Sequence, residues 1–120
     1  MRYEESGPIK EKAMSFSIRI YKLAKYLQEK NEFVLSQQVL KAGTSIGANA
    51  AESRRAESLA DFTHKLEIAS KECEEIRYWL ELLWKVELIQ ENLYNSLEDQ
   101  AAELHRLLKA SINTAKNNRK

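Results

Sequence analysis

Two carboxylates, Glu72 and Glu75, are the residues whose type and spacing best suit chemistry. Three positions apart on a helix, they are neighbours on its surface, and paired carboxylates carry out acid–base work in glycosidases. Such a reaction also needs a cleft and convergent partners. Lys71 and Arg77 are close enough in sequence to form ordinary ion pairs with the two carboxylates. We therefore interpret both carboxylates as structural and predict no catalytic residues.

A second candidate is a metal-binding pair. Asp61 and His64 have the i, i+3 spacing of carboxylate and histidine ligands on a helix. A di-metal site in a helical bundle needs two Glu-x-x-His motifs and two further carboxylates. The other histidine, His105, has Ala102 three positions before it. The sequence therefore predicts no metal site, and we interpret both histidines as surface or packing residues.

The chain has one cysteine, Cys73, which falls at a core position of a helical repeat. A buried cysteine behaves as a small hydrophobic residue, so we predict packing and no nucleophilic chemistry. Gly43 and Gly47 lie within a helical pattern, whereas phosphate-binding glycine motifs lie between a strand and a helix. We expect no cofactor and predict that the protein is not an enzyme.

The scaffold that holds these residues is predicted to be helical. The 120 residues (13.9 kDa) fit one domain, 1–120, and combine 43% hydrophobic with 31% charged residues, three glycines and one proline. This composition argues against disordered, collagen-like and turn-rich β proteins. No stretch approaches the roughly 20 apolar residues of a membrane span or the apolar part of a signal peptide. We expect a cytoplasmic protein without a membrane partner.

Apolar residues recur at alternating steps of three and four, and they predict helices at about residues 8–30, 36–56, 59–86 and 91–115. Pro8 suits the first turn of a helix, and Ser58 followed by Asp61 resembles a capping box. The third helix has the strictest repeat, at Phe62, Leu66, Ala69, Cys73, Ile76, Leu80 and Leu83. The fourth carries on one face Leu93, Leu97, Ala101, Leu104, Leu108 and Ile112. Because no strand pattern occurs and the loops are short, we predict an all-α fold, an antiparallel up-down-up-down four-helix bundle.

The second predicted helix is rich in small residues, with Gly43 and Gly47 in its interior. Each internal glycine costs about 1 kcal/mol relative to alanine. This cost favours the close approach of a neighbouring helix, and a glycine that is merely tolerated is the alternative.

A second stripe flanks the core positions of the third helix. Its members also step by four and three, and they are Ile68, Glu72, Glu75, Trp79, Leu82 and Val86, with Trp84 nearby. An apolar surface that contains tryptophan is typical of a protein interface, so we predict self-association. The alternative is that the fourth helix covers the stripe. The second helix has a matching polar flank, which consists of Ser45, Asn49 and Glu52. Together with Glu72 and Glu75, these residues can form a polar network between helices or between subunits.

Three segments of the chain resemble a known family. They are Glu32–Gln38, the run from Gly43 to Glu52 that contains Ser-Ile-x-x-Asn-x-x-Glu, and the run from Asp61 to Leu80 that contains Lys-Glu-x-x-Glu-x-x-Tyr-Trp-Leu. Over about residues 10–112, the chain resembles the small four-helix-bundle proteins encoded within 23S rRNA intervening sequences. Ser53 stands where many relatives carry glycine.

The resemblance implies a ring-shaped homopentamer with a central channel. It also implies a relation to the accessory protein of diversity-generating retroelements, which binds nucleic acid and a reverse transcriptase. The intervening-sequence branch has no established activity. The motif match carries over a set of polar positions as structural and interface residues, namely Ser45, Asn49, Glu52, Lys65, Lys71, Glu72 and Glu75.

Charge is unevenly distributed along the chain. The net charge is +1 overall, but residues 61–103 carry −7 and residues 104–120 carry +5. The candidate phosphate contacts are Lys12, Arg19, Lys30, Arg54, Arg55, Arg106, Lys109, Lys116, Arg119 and Lys120. We predict a non-enzymatic homo-oligomer that binds RNA or DNA through these residues. Because a charged helix face often serves only solubility, the alternative is a protein-interaction scaffold that recruits another protein, such as a polymerase.

Overall fold

The four periodic segments form four α-helices in the structure, a computed structural model that describes residues 7–117. The helices are α1 (Gly7–Glu29), α2 (Phe33–Ser53), α3 (Leu59–Lys85) and α4 (Glu91–Asn117). Each helix packs against the next, and α4 closes loosely on α1. The predicted all-α, up-down-up-down bundle is confirmed, and α1 and α3 occupy diagonally opposite positions in it.

The turn between α1 and α2 is shorter than predicted. Asn31 adopts a left-handed conformation, with φ of 64°, which asparagine tolerates better than most residues. The amide of Glu32 then bonds the carbonyl of Leu27 at 2.8 Å, in the pattern that ends many helices. Because this turn closes within residues 30–32, α2 begins at Phe33, three residues before the predicted start. At its other end α2 stops at Ser53, three residues before the predicted end, where the amides of Arg54 and Arg55 bond the carbonyls of Ala51 and Glu52.

The ends of α3 follow local rules. Ser58 Oγ accepts a hydrogen bond from the amide of Asp61 at 3.0 Å, as the capping-box pattern predicts. Asp61 Oδ2 in turn accepts a hydrogen bond from the amide of Glu57 at 3.3 Å. Glu87, with φ of 65°, ends the helix as Asn31 does after α1.

The core lies along the inner faces of all four helices. All seven residues of the strict α3 repeat are buried, as predicted. Five of the six apolar residues predicted for the inner face of α4 are buried as well, but Leu93 is 37% exposed. Its position in the helix suits the core, but the loose contact between α1 and α4 leaves it partly uncovered.

Gly43 lies at the closest approach of α1 and α2. A Cβ atom at this position would lie 2.6 Å from Cγ2 of Ile20, so the predicted close approach of a neighbouring helix is confirmed. At Gly47 the nearest atom, Cβ of Ala13, would be 3.5 Å away, which is an ordinary contact.

Hydropathy separates these helices from membrane spans. Within residues 7–117, no helix combines the length and the apolar character needed to cross a bilayer.

Candidate assembly and nucleic-acid surfaces

The second stripe of α3 borders α2. Lys65 Nζ lies 2.8 Å from Oε1 of Glu52, which fixes this flank of α3 against α2. Glu72 and Trp79 follow Lys65 at steps of seven and therefore share its flank. α4 packs on the other flank, where Trp84 stacks on Tyr94 with ring centroids 4.7 Å apart. The stripe thus lies on the side of α3 away from α4, and Trp84 does not belong to it.

Five of the six stripe residues are half-buried, and Val86 at the end of α3 is 53% exposed. Trp79 Nε1 donates a hydrogen bond to Glu75 Oε2 at 3.2 Å. The indole N–H of Trp79 therefore already has a hydrogen-bond partner within the chain. Self-association through the stripe remains a prediction.

The two stripe carboxylates have unequal surroundings. Oε1 of Glu72 is buried and has no hydrogen-bond partner within the described part of the chain. Burial raises the pKa of the Glu72 carboxyl, and the negative charge of Glu75 raises that pKa further, against the opposing effect of Lys41 and Lys71. Arg77, which the sequence offered as a partner for these carboxylates, instead bonds Glu98 of α4 at 3.0 Å.

The polar flank of α2 forms mostly local bonds. Ser45 Oγ donates to the carbonyl of Lys41 at 2.6 Å, and Asn49 Nδ2 donates to the carbonyl of Ser45 at 2.9 Å. Glu52 alone of the three reaches α3 in the contacts of residues 7–117, through its ion pair with Lys65. Among these three residues, polar contact between α2 and α3 is therefore limited to the Glu52–Lys65 ion pair, which is less than the predicted network. Lys71 is exposed on α3.

A second apolar surface, which sequence reasoning missed, lies on the outer side of α1. Met14, Ile18 and Tyr21 are 62%, 50% and 53% exposed. They step by four and three, as the core residues of α1 do, but on the opposite face from the buried Phe16 and Ile20. This repeated spacing of apolar residues is visible in the sequence and could have predicted the surface. We call these three residues the α1 surface.

The basic flank of α1 faces α4. Lys12 Nζ lies 3.2 Å from Oε2 of Glu103, and Arg19 Nη1 donates to Ser96 Oγ at 2.9 Å and to Gln100 Oε1. These two predicted phosphate contacts therefore hold α1 against α4 instead of forming a free basic face.

The remaining predicted phosphate contacts are divided among several environments. Lys30 lies over the ring of Tyr26, 5.6 Å from its centroid. Lys116 pairs with Glu67 at 3.2 Å. Arg106 and Lys109 are exposed on α4, and Arg119 and Lys120 lie outside the described residues.

Three cations meet at one end of the bundle. Arg54 and Arg55, at the end of α2, line one surface depression together with Lys10 from the first turns of α1 and with Ala51. The antiparallel arrangement of α1 and α2 brings these positions together, and Lys10 was not among the predicted contacts. Nε of Arg54 is buried and has no hydrogen-bond partner among residues 7–117. We call Lys10, Arg54 and Arg55 the basic end.

The other candidates for chemistry are dispersed. Among residues 7–117, no group of three or more His, Cys, Asp or Glu could hold a metal ion. Nε2 of His105 lies 3.4 Å from Oε2 of Glu74, without the alignment of a hydrogen bond. Cys73 is fully buried, as predicted, and burial raises the pKa of its thiol to about 12.

These features define a four-helix-bundle protein with two apolar surfaces and a basic end. The family model described as 23S rRNA-intervening sequence protein matches residues 6–110, and the chain belongs to this family. A crystal structure of a protein of unknown function, from the S23 ribosomal protein family of Bacteroides thetaiotaomicron VPI-5482, has the same fold with a TM-score of 0.87. The two chains are 45% identical, and the match covers 90% of this chain and 97% of that chain. A comparison with curated proteins found no match.

Proposed function

We propose that this protein is a non-enzymatic homo-oligomer, a ring of five chains, that binds the phosphates of RNA or DNA through its basic end. The observation that carries the proposal is the meeting of Lys10, Arg54 and Arg55 in one depression whose lining includes no carboxylate. Lysine and arginine contacts to phosphate give affinity without reading base sequence. Recognition is therefore expected to depend on backbone charge and shape.

Assembly would give this small cluster its effect. One copy carries a net charge of only +1, which attracts a polyanion weakly. A ring repeats the three cations of the basic end in every copy. The exposed Arg106 and Lys109 of each copy add further positive charge to the ring. Local density of positive charge then matters more than net charge.

Two different apolar surfaces support a ring. A cyclic assembly of more than two copies uses head-to-tail contacts, in which one surface of a chain meets a different surface of the next. The α1 surface and the α3 stripe lie on diagonally opposite helices. We propose that they are the two halves of such a contact.

Nucleic-acid binding is tested by fluorescence anisotropy with labelled duplex RNA and duplex DNA at 50 and 200 mM salt. Affinity should fall steeply with salt, by about 0.9 log units per neutralised duplex phosphate for each tenfold rise. Arg54→Gln/Arg55→Gln should lower both the affinity and this slope. Lys25→Gln/Lys85→Gln removes the same charge at the other end of the bundle and should change neither. The proposal fails if the native protein does not bind at 50 mM salt, or if both pairs have equal effects.

Assembly is tested by light scattering at micromolar concentration, where we expect the mass of five 13.9 kDa chains. Trp79→Ala should weaken assembly by about 2 kcal/mol or more, as loss of a large interfacial aromatic does. Ile18→Glu and Val86→Glu, at exposed positions of the two surfaces, should each give monomers. Mixed together they should form dimers, because one intact contact remains. A monomeric native protein would contradict the ring.

The α1 surface also supports a second candidate function, a scaffold that recruits another protein, such as a reverse transcriptase or other polymerase. Its three apolar side chains are at least half exposed in the single chain, as expected of a partner site. The light-scattering experiment separates the two functions. If Ile18→Glu leaves the native mass unchanged, the α1 surface is free for a different protein and the scaffold is favoured.

A further inference from the structure

A groove opens between α1 and α4 at the end of the bundle that holds the turn from α3 to α4. Its volume is about 510 Å³, which is in the range of small-molecule sites. Leu23 and Leu97 form its floor, since both are almost fully buried, and Ile89 adds apolar area from the turn. Leu93 stands in the wall and is 37% exposed. The groove is thus an apolar surface that the loose contact between α1 and α4 leaves open.

Positive charge lies at the rim of this groove. Arg19 and Lys22 belong to its lining, which includes no carboxylate. Both hydrogen bonds of Arg19 described above come from Nη1 and go to neutral acceptors, the hydroxyl of Ser96 and the side-chain amide of Gln100. These bonds orient the guanidinium without neutralising it. The rim therefore complements an anion, whereas the interior complements an apolar chain.

We propose that the groove binds an amphipathic monocarboxylate, with its carboxylate at Arg19 and Lys22 and its alkyl chain against Leu23, Leu93 and Leu97. Arginine holds a carboxylate through paired N–H···O bonds. The alkyl chain of the ligand would cover the exposed apolar wall of the groove and so remove it from water. A nucleic-acid phosphate fits less well because the surface below the cations is apolar. The proposal uses neither the basic end nor the two assembly surfaces and is independent of them.

Calorimetric titration of the full chain with hexanoate, octanoate and decanoate, each below its aggregation concentration, tests the site. Affinity should rise about two- to fourfold with each added methylene, and acetate should give no measurable binding. Decyltrimethylammonium has the chain length of decanoate with the opposite charge and should bind at least tenfold more weakly. Failure of decanoate to bind would overturn the proposal, and so would equal binding of decanoate and decyltrimethylammonium.

Variants locate the site. Arg19→Gln removes the charge at the rim and should weaken decanoate binding at least tenfold. Lys25→Gln removes an exposed charge from the same helix, outside the groove lining, and should change affinity less than twofold. Leu93→Ala should reduce the gain per methylene, with far-UV circular dichroism showing that the helices remain. Equal losses in Arg19→Gln and Lys25→Gln would mean that only net charge matters, and the proposal would fail.

Discussion

Gly43 and Ile20 set the separation of α1 and α2, because a Cβ atom on Gly43 would fall 2.6 Å from Cγ2 and 2.9 Å from Cγ1 of Ile20. Ile20 is fully buried, so its side chain has little room to move in a close-packed core. The two backbones can therefore approach this closely only if the position lacks a side chain.

Gly43→Ala should destabilise the protein. Alanine gains about 1 kcal/mol in helix propensity, but overpacking typically costs about 1–3 kcal/mol. We expect the overpacking to outweigh the gain. Gly47→Ala is the matched control, because a Cβ atom at Gly47 would lie 3.5 Å from Cβ of Ala13, an ordinary contact distance. This substitution should stabilise the folded protein by about 0.5–1 kcal/mol. Urea denaturation measures both, and a Gly43→Ala protein as stable as Gly47→Ala would contradict this account of the contact.

Glu72→Gln should stabilise the protein at neutral pH. Burial raises the folded-state pKa of this carboxyl above its ordinary value of 4.5, so the folded state binds more protons than the unfolded state between 4.5 and the raised pKa. The free energy of unfolding therefore falls as pH rises through this window and remains lower above it. Glutamine, which stays neutral, avoids that loss.

Urea denaturation at pH 3.5 and pH 7.5 measures the stability of the Glu72→Gln variant against that of the native protein. The urea midpoint of the variant should exceed that of the native protein at pH 7.5, and the difference should shrink at pH 3.5. Glu81→Gln, at an exposed position of the same helix, should show no such gain. A variant that is less stable than the native protein at pH 7.5 would contradict the destabilising effect proposed for the charged Glu72 carboxylate, whose Oε1 is buried without a partner among residues 7–117.

Cys73 should be inert in the folded protein. Its side chain is fully buried, and burial raises the pKa of the thiol to about 12, whereas the thiolate is the reactive form. Reaction with a chromogenic disulfide should be slow in buffer and fast in urea. Cys73→Ala should cost about 1 kcal/mol through lost packing, and rapid labelling of the native thiol would show that the site is open.

The Arg77–Glu98 pair should contribute more to stability than the Lys12–Glu103 pair. Arg77 Nη2 lies 2.7 Å from Glu98 Oε2, and the two side chains are 36% and 22% exposed. Lys12 Nζ lies 3.2 Å from Glu103 Oε2, and both side chains are 44% exposed. Double-mutant cycles to alanine should give coupling of about 1 kcal/mol for the first pair and less than about 0.5 kcal/mol for the second. Equal couplings would show that orientation and burial do not matter here.

The helices and most of the core could be predicted because periodicity reports burial directly. The strict repeat of α3, from Phe62 to Leu83, is buried throughout. Leu93 has the same periodicity in α4 but is partly exposed, because periodicity does not show how tightly a neighbouring helix will close. The start of α2 at Phe33 depends on the left-handed Asn31, which composition alone does not reveal.

The surfaces were harder to predict because they depend on which helices meet and in what register. Arg19 looked like part of a free basic flank until α4 placed Ser96 and Gln100 beside it. Lys10 joins Arg54 only because α1 and α2 run antiparallel. Sequence spacing gives the face of one helix, and the bundle decides what that face meets.

The most direct test of the proposed function compares duplex RNA binding by the native protein and by Ile18→Glu at 50 mM salt. Ile18 lies on the α1 surface, and the variant keeps Lys10, Arg54 and Arg55. If assembly multiplies the basic end, the native protein binds and the monomeric variant loses at least tenfold in affinity. Equal affinity in a monomeric variant, or no binding by the native protein, would contradict assembly-dependent nucleic-acid binding.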